Sequence, residues 1–263
     1  MSRMKWYRVI ILLTVGFLFS SCAFFKPSRE LEITPAARAT EIRNLLSTLQ
    51  TKNDTLKNFK GIGKIKLWQN GIIQVDQRLA WIGEKPVKLS IAVWVSGFPA
   101  IKLAIDGKWL YYLETQGQDT VFKKFRASDP SLKKIISIPI TSSDIVMLLA
   151  GGIPIRKFNS VDLLEEKAGN GYVLVLKERW WGVREKIYLN ASRSQVRQID
   201  VFDRSGSLMY RAKIESMQRV NGYEVPFRIR IADKQGADFQ LDVDQYWANI
   251  DPPTSAFVLA PPE

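Results

Sequence analysis

The chain has 263 residues, and its content of 46% hydrophobic and 24% charged residues is that of a folded globular protein, which excludes a disordered chain. It contains one cysteine and no histidine. A single cysteine excludes an internal disulfide framework, and without histidine the chain has none of the usual catalytic triads. Stability must therefore come from an apolar core, and we predict that the protein is not an enzyme and binds no metal or cofactor.

The N-terminus has the pattern of a secretory signal. A basic start precedes a largely apolar run over residues 9–19, which two serines separate from Cys22. The run is too short to cross a bilayer as a helix, for which about 20 apolar residues are needed. The stretch Phe19-Ser20-Ser21-Cys22 resembles a bacterial lipobox, which implies a signal peptide over 1–21 and an acylated Cys22 as lipid anchor. The alternative is an ordinary signal peptide that is cleaved elsewhere. Cys22 would then be removed with the signal peptide or remain as a free thiol.

Export also affects which partner the positive charge of the chain indicates. The net charge is +12, and 35 basic and 26 acidic residues remain once residues 1–21 are removed. In a cytosolic protein such a balance would suggest a nucleic-acid partner, which we do not expect for an exported chain. The basic residues are spread along many segments. We interpret them as solvated faces of strands and helices, with a preference for anionic lipid head groups as the alternative.

Residues 22–33 are predicted to form an extended tether, and a single folded domain is predicted over 34–263. The domain begins with a helix, because the capping hydroxyl of Thr34 precedes a proline at the first helical position. Apolar residues then recur at helical spacing along residues 36–51. They are Ile42, Leu45, Leu46 and Leu49.

From residue 56 onward the apolar residues alternate, which predicts β-strands separated by short turns. The first run of predicted strands covers 59–68, 72–81, 87–95, 100–105, 109–115 and 121–125. The second run covers 160–167, 171–177, 184–190, 195–202, 208–218, 226–232 and 239–246. Gly61-Ile62-Gly63 lies inside the first strand and lacks the third glycine of a dinucleotide-binding loop. We therefore interpret its glycines as sites of close backbone contact or of a bend.

The segment between the two runs is predicted to cover the sheet. Residues 128–137 are interpreted as irregular or short helix, and Thr141-Ser142-Ser143-Asp144 opens a helix that Gly151-Gly152 ends. A meander of about eleven to thirteen strands must curl rather than stay flat. The predicted fold is therefore mainly β: a curved antiparallel sheet forming an unclosed β-barrel. The first and the central helix are the candidates to fill its concave side as a lid.

The order of these features resembles the LolA and LolB family of lipoprotein carriers and receptors. The resemblance covers most of the mature chain and is carried by the stretches 77–81, 88–90 with 100–103, 138–154, and 221–226 with 244–247. It implies a half-open barrel around a hydrophobic cavity. The cavity would receive the acyl chains of lipoproteins from a soluble, LolA-like periplasmic carrier, and the cargo would pass into the outer membrane. With no aspartate after Cys22, the resemblance favours a position at the periplasmic face of the outer membrane.

The resemblance also implies a membrane-insertion loop. In the family, a short loop between two early strands carries an exposed apolar residue, and the matching residues here are Val95, Ser96, Gly97, Phe98 and Pro99. Val95 or Phe98 would protrude, and we prefer Phe98 because the glycine before it and the proline after it favour an exposed turn. The alternative is that Trp94 and Phe98 belong to the core.

The predicted cavity is lined from the strands and from the lid. Its residues are Trp81, Leu89, Ile91, Ile101 and Leu103 on the strands, and Ile145, Leu148 and Leu149 on the lid helix. An apolar cavity of this kind offers an acyl chain an alternative to water. Ordinary core packing is the alternative for each residue taken singly.

Three functions follow as hypotheses, each for a chain that we expect to be a monomer. The first is a lipoprotein receptor. The second is a lipid-anchored protein of the same fold that binds or transports lipid or glycolipid, and the third is a structural envelope lipoprotein. The cavity separates them, because an empty apolar groove favours transport whereas a groove filled by the chain's own helix favours a scaffold.

Overall fold

The computed structural model describes residues 35–117, 119–166, 169 and 171–262. The predicted signal peptide (1–21), Cys22 and the tether (22–33) lie outside these residues and remain predictions. None of the described helices combines the length and the apolar character that crossing a bilayer requires.

Three α-helices and one 3₁₀ helix accompany thirteen strands in this part of the chain. The helices are α1 (Pro35–Thr51), α2 (Lys133–Ile136), α3 (Ser142–Leu149) and the 3₁₀ helix Thr254–Phe257. The strands before α2 are β1 (Asn58–Gln69), β2 (Ile72–Glu84), β3 (Lys88–Val95), β4 (Phe98–Ile105), β5 (Trp109–Gln116) and β6 (Asp119–Arg126). The strands after α3 are β7 (Ser160–Glu165), β8 (Gly171–Glu178), β9 (Gly182–Asn190), β10 (Val196–Phe202), β11 (Leu208–Val220), β12 (Tyr223–Ala232) and β13 (Ala237–Ala248).

All thirteen strands form one antiparallel sheet in the order β6-β5-β4-β3-β2-β1-β13-β12-β11-β10-β9-β8-β7. Neighbours in sequence pair throughout, and the two meanders join at the centre, where the first strand pairs with the last. There Phe59 lies opposite Ala248 and Gln69 opposite Ala237. The two edges of the sheet are β6 and β7, so the barrel is not closed. The mainly β, unclosed antiparallel fold predicted from the sequence is confirmed.

One difference between the predicted and observed strands lies at Pro226. The sequence predicted that this strand begins at the proline, whereas β12 begins three residues earlier at Tyr223. Pro226 lies opposite Met217, beside a shift of register between Ser216 and Met217. Proline lacks the N–H that a regular ladder needs, and an irregular position of this kind accommodates it.

Two glycines allow aromatic rings to lie flat across the first two strands. A Cβ atom at Gly61 would overlap the Trp81 indole, and one at Gly83 would overlap the Phe59 ring. Phe59 also stacks on Tyr246, with 5.7 Å between ring centroids. The interpretation of Gly61 as a site of close contact therefore agrees with the structure, and the contact fixes Trp81 against the inner face of the sheet.

From Thr40 onward, α1 belongs to the same compact unit as the sheet. Leu46 and Leu49 are buried in the core, and Ile42 and Leu45 pack against it. Glu41 forms an ion pair with Arg193 in the turn between β9 and β10. The apolar stripe predicted for this helix thus contributes to the core.

Candidate functional site

An apolar cavity of about 150 Å³ lies between the sheet and the segment that contains α2 and α3. Nineteen side chains line it, and none of them carries a charge. They are Ile65, Leu67, Val75, Leu79, Trp81, Ile91, Val93, Ile101, Leu103, Leu132, Ile135, Ile136, Ile145, Leu148, Leu149, Ile229, Ile231, Phe239 and Leu241. Such a lining suits hydrocarbon, because eighteen of the nineteen side chains have no hydrogen-bonding group; the exception is Trp81, whose buried Nε1 has no hydrogen-bond partner in the described part of the chain.

The alternation of the strands produces this lining. Successive side chains of a strand point to opposite faces, so residues two apart share the inner face of the sheet. Across the ladder Ile91 lies opposite both Trp81 and Leu103. Two residues further along β3, Val93 lies opposite Ile101. Neighbouring strands therefore add apolar pairs to one continuous wall.

Seven of the eight residues that the sequence assigned to the cavity line it in the structure. These are Trp81, Ile91, Ile101, Leu103, Ile145, Leu148 and Leu149. Leu89 does not line the cavity and is fully buried in the core instead. It lies opposite Gly83, and the Phe59 ring that covers this glycine fills the space there.

The sequence did not assign the remaining twelve lining residues. Leu132, Ile135 and Ile136 come from the stretch that was predicted as an irregular or short-helical cover without a role in the site. The pairs Ile229 with Ile231 and Phe239 with Leu241 have the two-residue spacing of an inward face, which is a usable signal. That spacing does not show that β12 and β13 join the first meander, because their pairing with it spans most of the chain.

The first turn of α3 is fixed by side-chain hydrogen bonds. Thr141 caps the helix by accepting from the backbone N–H of Asp144 at 3.3 Å, as the Thr-Ser-Ser-Asp pattern indicates. Asp129 accepts hydrogen bonds from the Ser142 hydroxyl and from the Ser143 backbone N–H, each at 2.9 Å. These contacts hold the start of the helix to the preceding loop.

A buried cluster of ionisable side chains connects α3 to the sheet. Asp144 is 2% exposed, forms an ion pair with Arg156 and accepts a hydrogen bond from the Tyr210 hydroxyl. The backbone N–H of Arg156 donates to Glu185 Oε2 at 2.8 Å. Burial raises the pKa of Glu185 to about 8, and burial together with Asp144 raises the pKa of Tyr210 well above its ordinary value. Burial therefore favours the protonated form of Glu185, beside the ion pair of Asp144 with Arg156.

The C-terminal end of α3 is also held. The Tyr246 hydroxyl donates to the carbonyl of Leu149 at 3.1 Å, and the Asn53 amide donates to the carbonyl of Ala150 at 2.9 Å. Both carbonyls belong to the last turn of the helix, where intrahelical partners are lacking. The longer helix of the cover is thus fixed to the body of the protein at both ends.

The short helix α2 is held much less. None of its four residues is buried, its N-cap residue Leu132 provides no side-chain cap, and the backbone N–H of Lys133 has only a long hydrogen bond of 3.4 Å to the Ser131 hydroxyl. Lys133 and Lys134 are exposed, whereas Ile135 and Ile136 are half-buried and reach the cavity. An open depression between α2 and the turn that joins β1 to β2 shares Leu67, Val75, Ile135 and Ile136 with the cavity. At this place the cavity and the open depression are lined by the same four side chains.

The predicted insertion loop is a two-residue hairpin between β3 and β4. Ser96 and Gly97 both have positive φ, of 52° and 87°, which matches the turn favoured in tight hairpins. Val95 lies opposite Phe98 at the tip. Phe98 is 76% exposed and Val95 is 41% exposed, while Pro99 follows in β4 opposite Trp94. Phe98 therefore lies outside the core, and two apolar side chains are presented to solvent.

Solved structures with low sequence identity share this fold. One is the LolA superfamily protein NE2245 from Nitrosomonas europaea, with 15% identity and a TM-score of 0.55; the match covers 82% of this chain and 97% of that one. Another is a DUF1329 family protein from Desulfovibrio piger, with 10% identity and a TM-score of 0.55; the match covers 84% of this chain and 97% of that one. At the level of sequence, no family model matches the chain and no curated protein is similar to it. These similarities show the fold alone, an unclosed antiparallel sheet with few helices that this chain shares with both solved structures.

Proposed function

We propose that the protein is a lipid-anchored receptor at the periplasmic face of the outer membrane. It accepts lipoproteins by their acyl chains from a soluble, LolA-like carrier and inserts them into the membrane. The observation that carries the proposal is the cavity, whose nineteen lining side chains are all apolar and which lies beneath a cover with one weakly held part. The predicted acylation of Cys22 supports the anchored position.

Acyl chains enter the cavity when α2 moves aside. At about 150 Å³ the cavity is smaller than the roughly 300–1,000 Å³ of typical ligand pockets, so the resting form does not accommodate a long chain. Since α3 is fixed at both ends, the part of the cover that moves is α2, while Leu132 before it is buried and stays in the core. The depression beside the β1–β2 turn is then the way in.

The free energy of this opening is small compared with that of binding. Full exposure of a buried isoleucine costs about 1.5–3 kcal/mol, so exposing the half-buried Ile135 and Ile136 costs about 2–3 kcal/mol in total. Each methylene that leaves water contributes about 0.8 kcal/mol. Four or five methylenes in the cavity therefore offset the opening. Longer acyl chains bind with a net gain.

Delivery requires only that affinity increases along the route. Cargo passes from carrier to receptor if this cavity binds acyl chains more tightly than that of the carrier, and onward if the bilayer binds them more tightly still. Phe98 at the hairpin tip orients the body on the membrane, because burying a phenylalanine side chain contributes about 2 kcal/mol. That is too little for an anchor, which the acyl chains on Cys22 provide.

The test of the cavity is transfer of an acylated lipoprotein from a LolA-like carrier to the purified protein. Ile91→Phe adds volume inside the cavity, and we expect it to reduce acceptance of the cargo severalfold without preventing folding. Ile214→Phe is the matched control, because Ile214 is half-buried at the core but does not line the cavity. Equal acceptance by both variants would contradict the assignment of the cavity.

Depletion of the protein in its native cell tests the receptor role. We expect lipoproteins to accumulate on the periplasmic carrier and to be lost from the outer membrane. Unchanged lipoprotein sorting with altered envelope lipids would instead support a protein that binds or transports lipid or glycolipid. If both lipoproteins and lipids are unchanged, the structural envelope lipoprotein becomes the better hypothesis.

A further inference from the structure

The tip of the hairpin between β8 and β9 carries two tryptophans that do not belong to the buried core. Trp180 is 79% exposed, more than any other large hydrophobic side chain in the described part of the chain, and Trp181 is 41% exposed. The turn itself is well formed, since the backbone N–H of Trp181 donates to the carbonyl of Glu178 at 3.1 Å and Gly182 has a φ of 66°. A rigid turn thus presents a large apolar surface to solvent.

Arginines lie beside both rings. The Arg179 guanidinium lies 5.3 Å from the centre of the Trp180 ring, and that of Arg204, in the β10–β11 turn, lies 5.0 Å from the Trp181 ring. The nearby carboxylates are already engaged. Glu178 forms an ion pair with Arg184 at 3.5 Å, and Asp203 accepts from backbone N–H groups of its own turn. The tip therefore combines an apolar surface with positive charge.

This tip lies at the same end of the sheet as the Phe98 hairpin. Because successive strands are antiparallel, the β1–β2, β3–β4, β8–β9, β10–β11 and β12–β13 turns share one rim. Ile72, which is 66% exposed, and Phe98, which is 76% exposed, project from two of these turns. Exposed apolar side chains that protrude separately along one rim fit an extended, deformable surface better than they fit the pocket of a folded partner.

We propose that the Trp180-Trp181 tip is a second membrane-contact site, which enters the head-group region of an anionic bilayer while Arg179 and Arg204 approach lipid phosphates. Tryptophan is the side chain most typical of that region, where an apolar ring and a polar N–H are both accommodated. Positive charge beside it is attracted by an anionic surface. With Phe98, this contact gives the body two points of attachment on one rim. The proposal does not depend on what the cavity binds.

The experiment places the full chain in vesicles whose lipids carry bromine on their acyl chains, without any cargo, and measures quenching of tryptophan fluorescence. The vesicles contain phosphatidylcholine alone or with phosphatidylglycerol. Of the eight tryptophans, Trp6 lies in the predicted signal peptide and seven remain in the mature chain, so the contribution of one is taken from the difference between variants. We expect Trp180→Gln to lose a quenched component that wild type shows. That component should be larger in the vesicles with phosphatidylglycerol.

Trp247→Gln is the matched control. Trp247 is 38% exposed and has Lys60 at 5.1 Å from its ring, but it lies at the opposite end of the sheet. We expect the quenched component to remain in this variant. Replacing Arg179 and Arg204 by glutamine should lower the ratio of docked to undocked tip by about fivefold per arginine in anionic vesicles, and by much less in neutral ones.

The proposal is wrong if Trp180→Gln loses no more quenching than Trp247→Gln, or if the loss is the same with and without phosphatidylglycerol. If Trp180 is not quenched, an acidic protein surface becomes the better hypothesis for the partner of the tip. Either result leaves the proposed receptor function intact, because uptake of an acyl chain by the cavity is measured separately. Trp180 is exposed at a turn, so its variant is expected to fold, which circular dichroism checks.

Discussion

The Tyr210 hydroxyl donates a hydrogen bond of 2.9 Å to Asp144, and this bond joins the middle of the sheet to the first turn of α3. Asp144 also pairs with Arg156, so the helix is held by a buried network rather than by apolar contact alone. The neighbouring helix α2 has no buried residue. The cover over the cavity is therefore divided into a fixed part and a part that can move at low cost.

Tyr210→Phe tests the fixed part. Removing the hydroxyl leaves Asp144 with fewer partners while the ring still packs, and we expect a loss of about 1–2 kcal/mol in the free energy of unfolding. Hydrogen exchange in α3 should become faster. Acyl-chain uptake should change little, because α2 provides the opening.

Tyr112→Phe is the control for this variant. The Tyr112 hydroxyl donates to Glu114 at 2.8 Å on a half-exposed strand away from α3. We expect a loss of about 0.5 kcal/mol and no change in the exchange of α3. Unaltered exchange of α3 in Tyr210→Phe would contradict the view that this bond fixes the helix.

The second prediction concerns the dependence of stability on pH. Burial raises the pKa of Glu185 from an ordinary value of 4.5 to about 8. The folded protein therefore holds a proton that the unfolded chain releases across this interval. The stabilisation from this group is complete below pH 4.5 and is lost as the pH rises through about 8, with a slope of up to about 1.4 kcal/mol per pH unit.

Glu185→Gln keeps an acceptor for the Arg156 backbone N–H and cannot titrate. We expect urea unfolding between pH 5 and pH 8.5 to show a flatter dependence on pH for this variant than for wild type. Glu178→Gln, at a more exposed ion pair on the same hairpin, should leave the dependence unchanged. A wild-type slope that persists in Glu185→Gln would show that another group is responsible.

Local patterns predicted most of the architecture. The alternation of apolar residues gave the strands, and the cap at Thr141 with the two glycines after α3 gave the lid helix, because each of these signals lies within a few residues. What the sequence could not provide is pairing between distant segments. The pairing of β1 with β13 brings Ile229 and Leu241 to the same wall as Leu79, and nothing local indicates it.

Two further differences also come from tertiary contacts. Leu89 has the right alternation for the cavity, but the Phe59 ring over Gly83 occupies the adjacent space, which depends on contacts across three strands. The helix α2 has only one turn, so Ile135 and Ile136 show no helical periodicity. Short elements of this kind are formed by tertiary contacts, and their position cannot be derived from propensity.

The third prediction concerns the close contact between Gly61 and Trp81. A methyl group at position 61 would overlap the indole, which is 2% exposed and can move away only toward the cavity that it lines. We expect Gly61→Ala to lower the free energy of unfolding by about 2–3 kcal/mol through overpacking, and to reduce binding of an apolar fluorescent probe because Trp81 lines the cavity.

Gly71→Ala separates the effect of overlap from that of backbone strain. A Cβ there would meet no atom within 4 Å, but the φ of +80° is unfavourable for alanine. We expect a loss of about 1 kcal/mol without any effect on probe binding. Equal losses in the two variants, with probe binding retained in both, would contradict the packing of Trp81 on Gly61.

The last prediction concerns Phe98 at the tip of the β3–β4 hairpin. Because this side chain is 76% exposed, Phe98→Ser should change the free energy of unfolding by no more than about 0.5 kcal/mol, and uptake of acyl chains should remain as in wild type. Release of the cargo into vesicles should fall about 10- to 30-fold, because roughly 1.5–2 kcal/mol of membrane partitioning is lost. Phe125→Ser is the control, since Phe125 is 50% exposed on the edge strand β6, near the opposite rim. If uptake and release decrease together in Phe98→Ser, the residue acts on the cavity, and if neither decreases the loop does not contact the membrane. Only a selective loss of release, absent from Phe125→Ser, agrees with insertion by this hairpin.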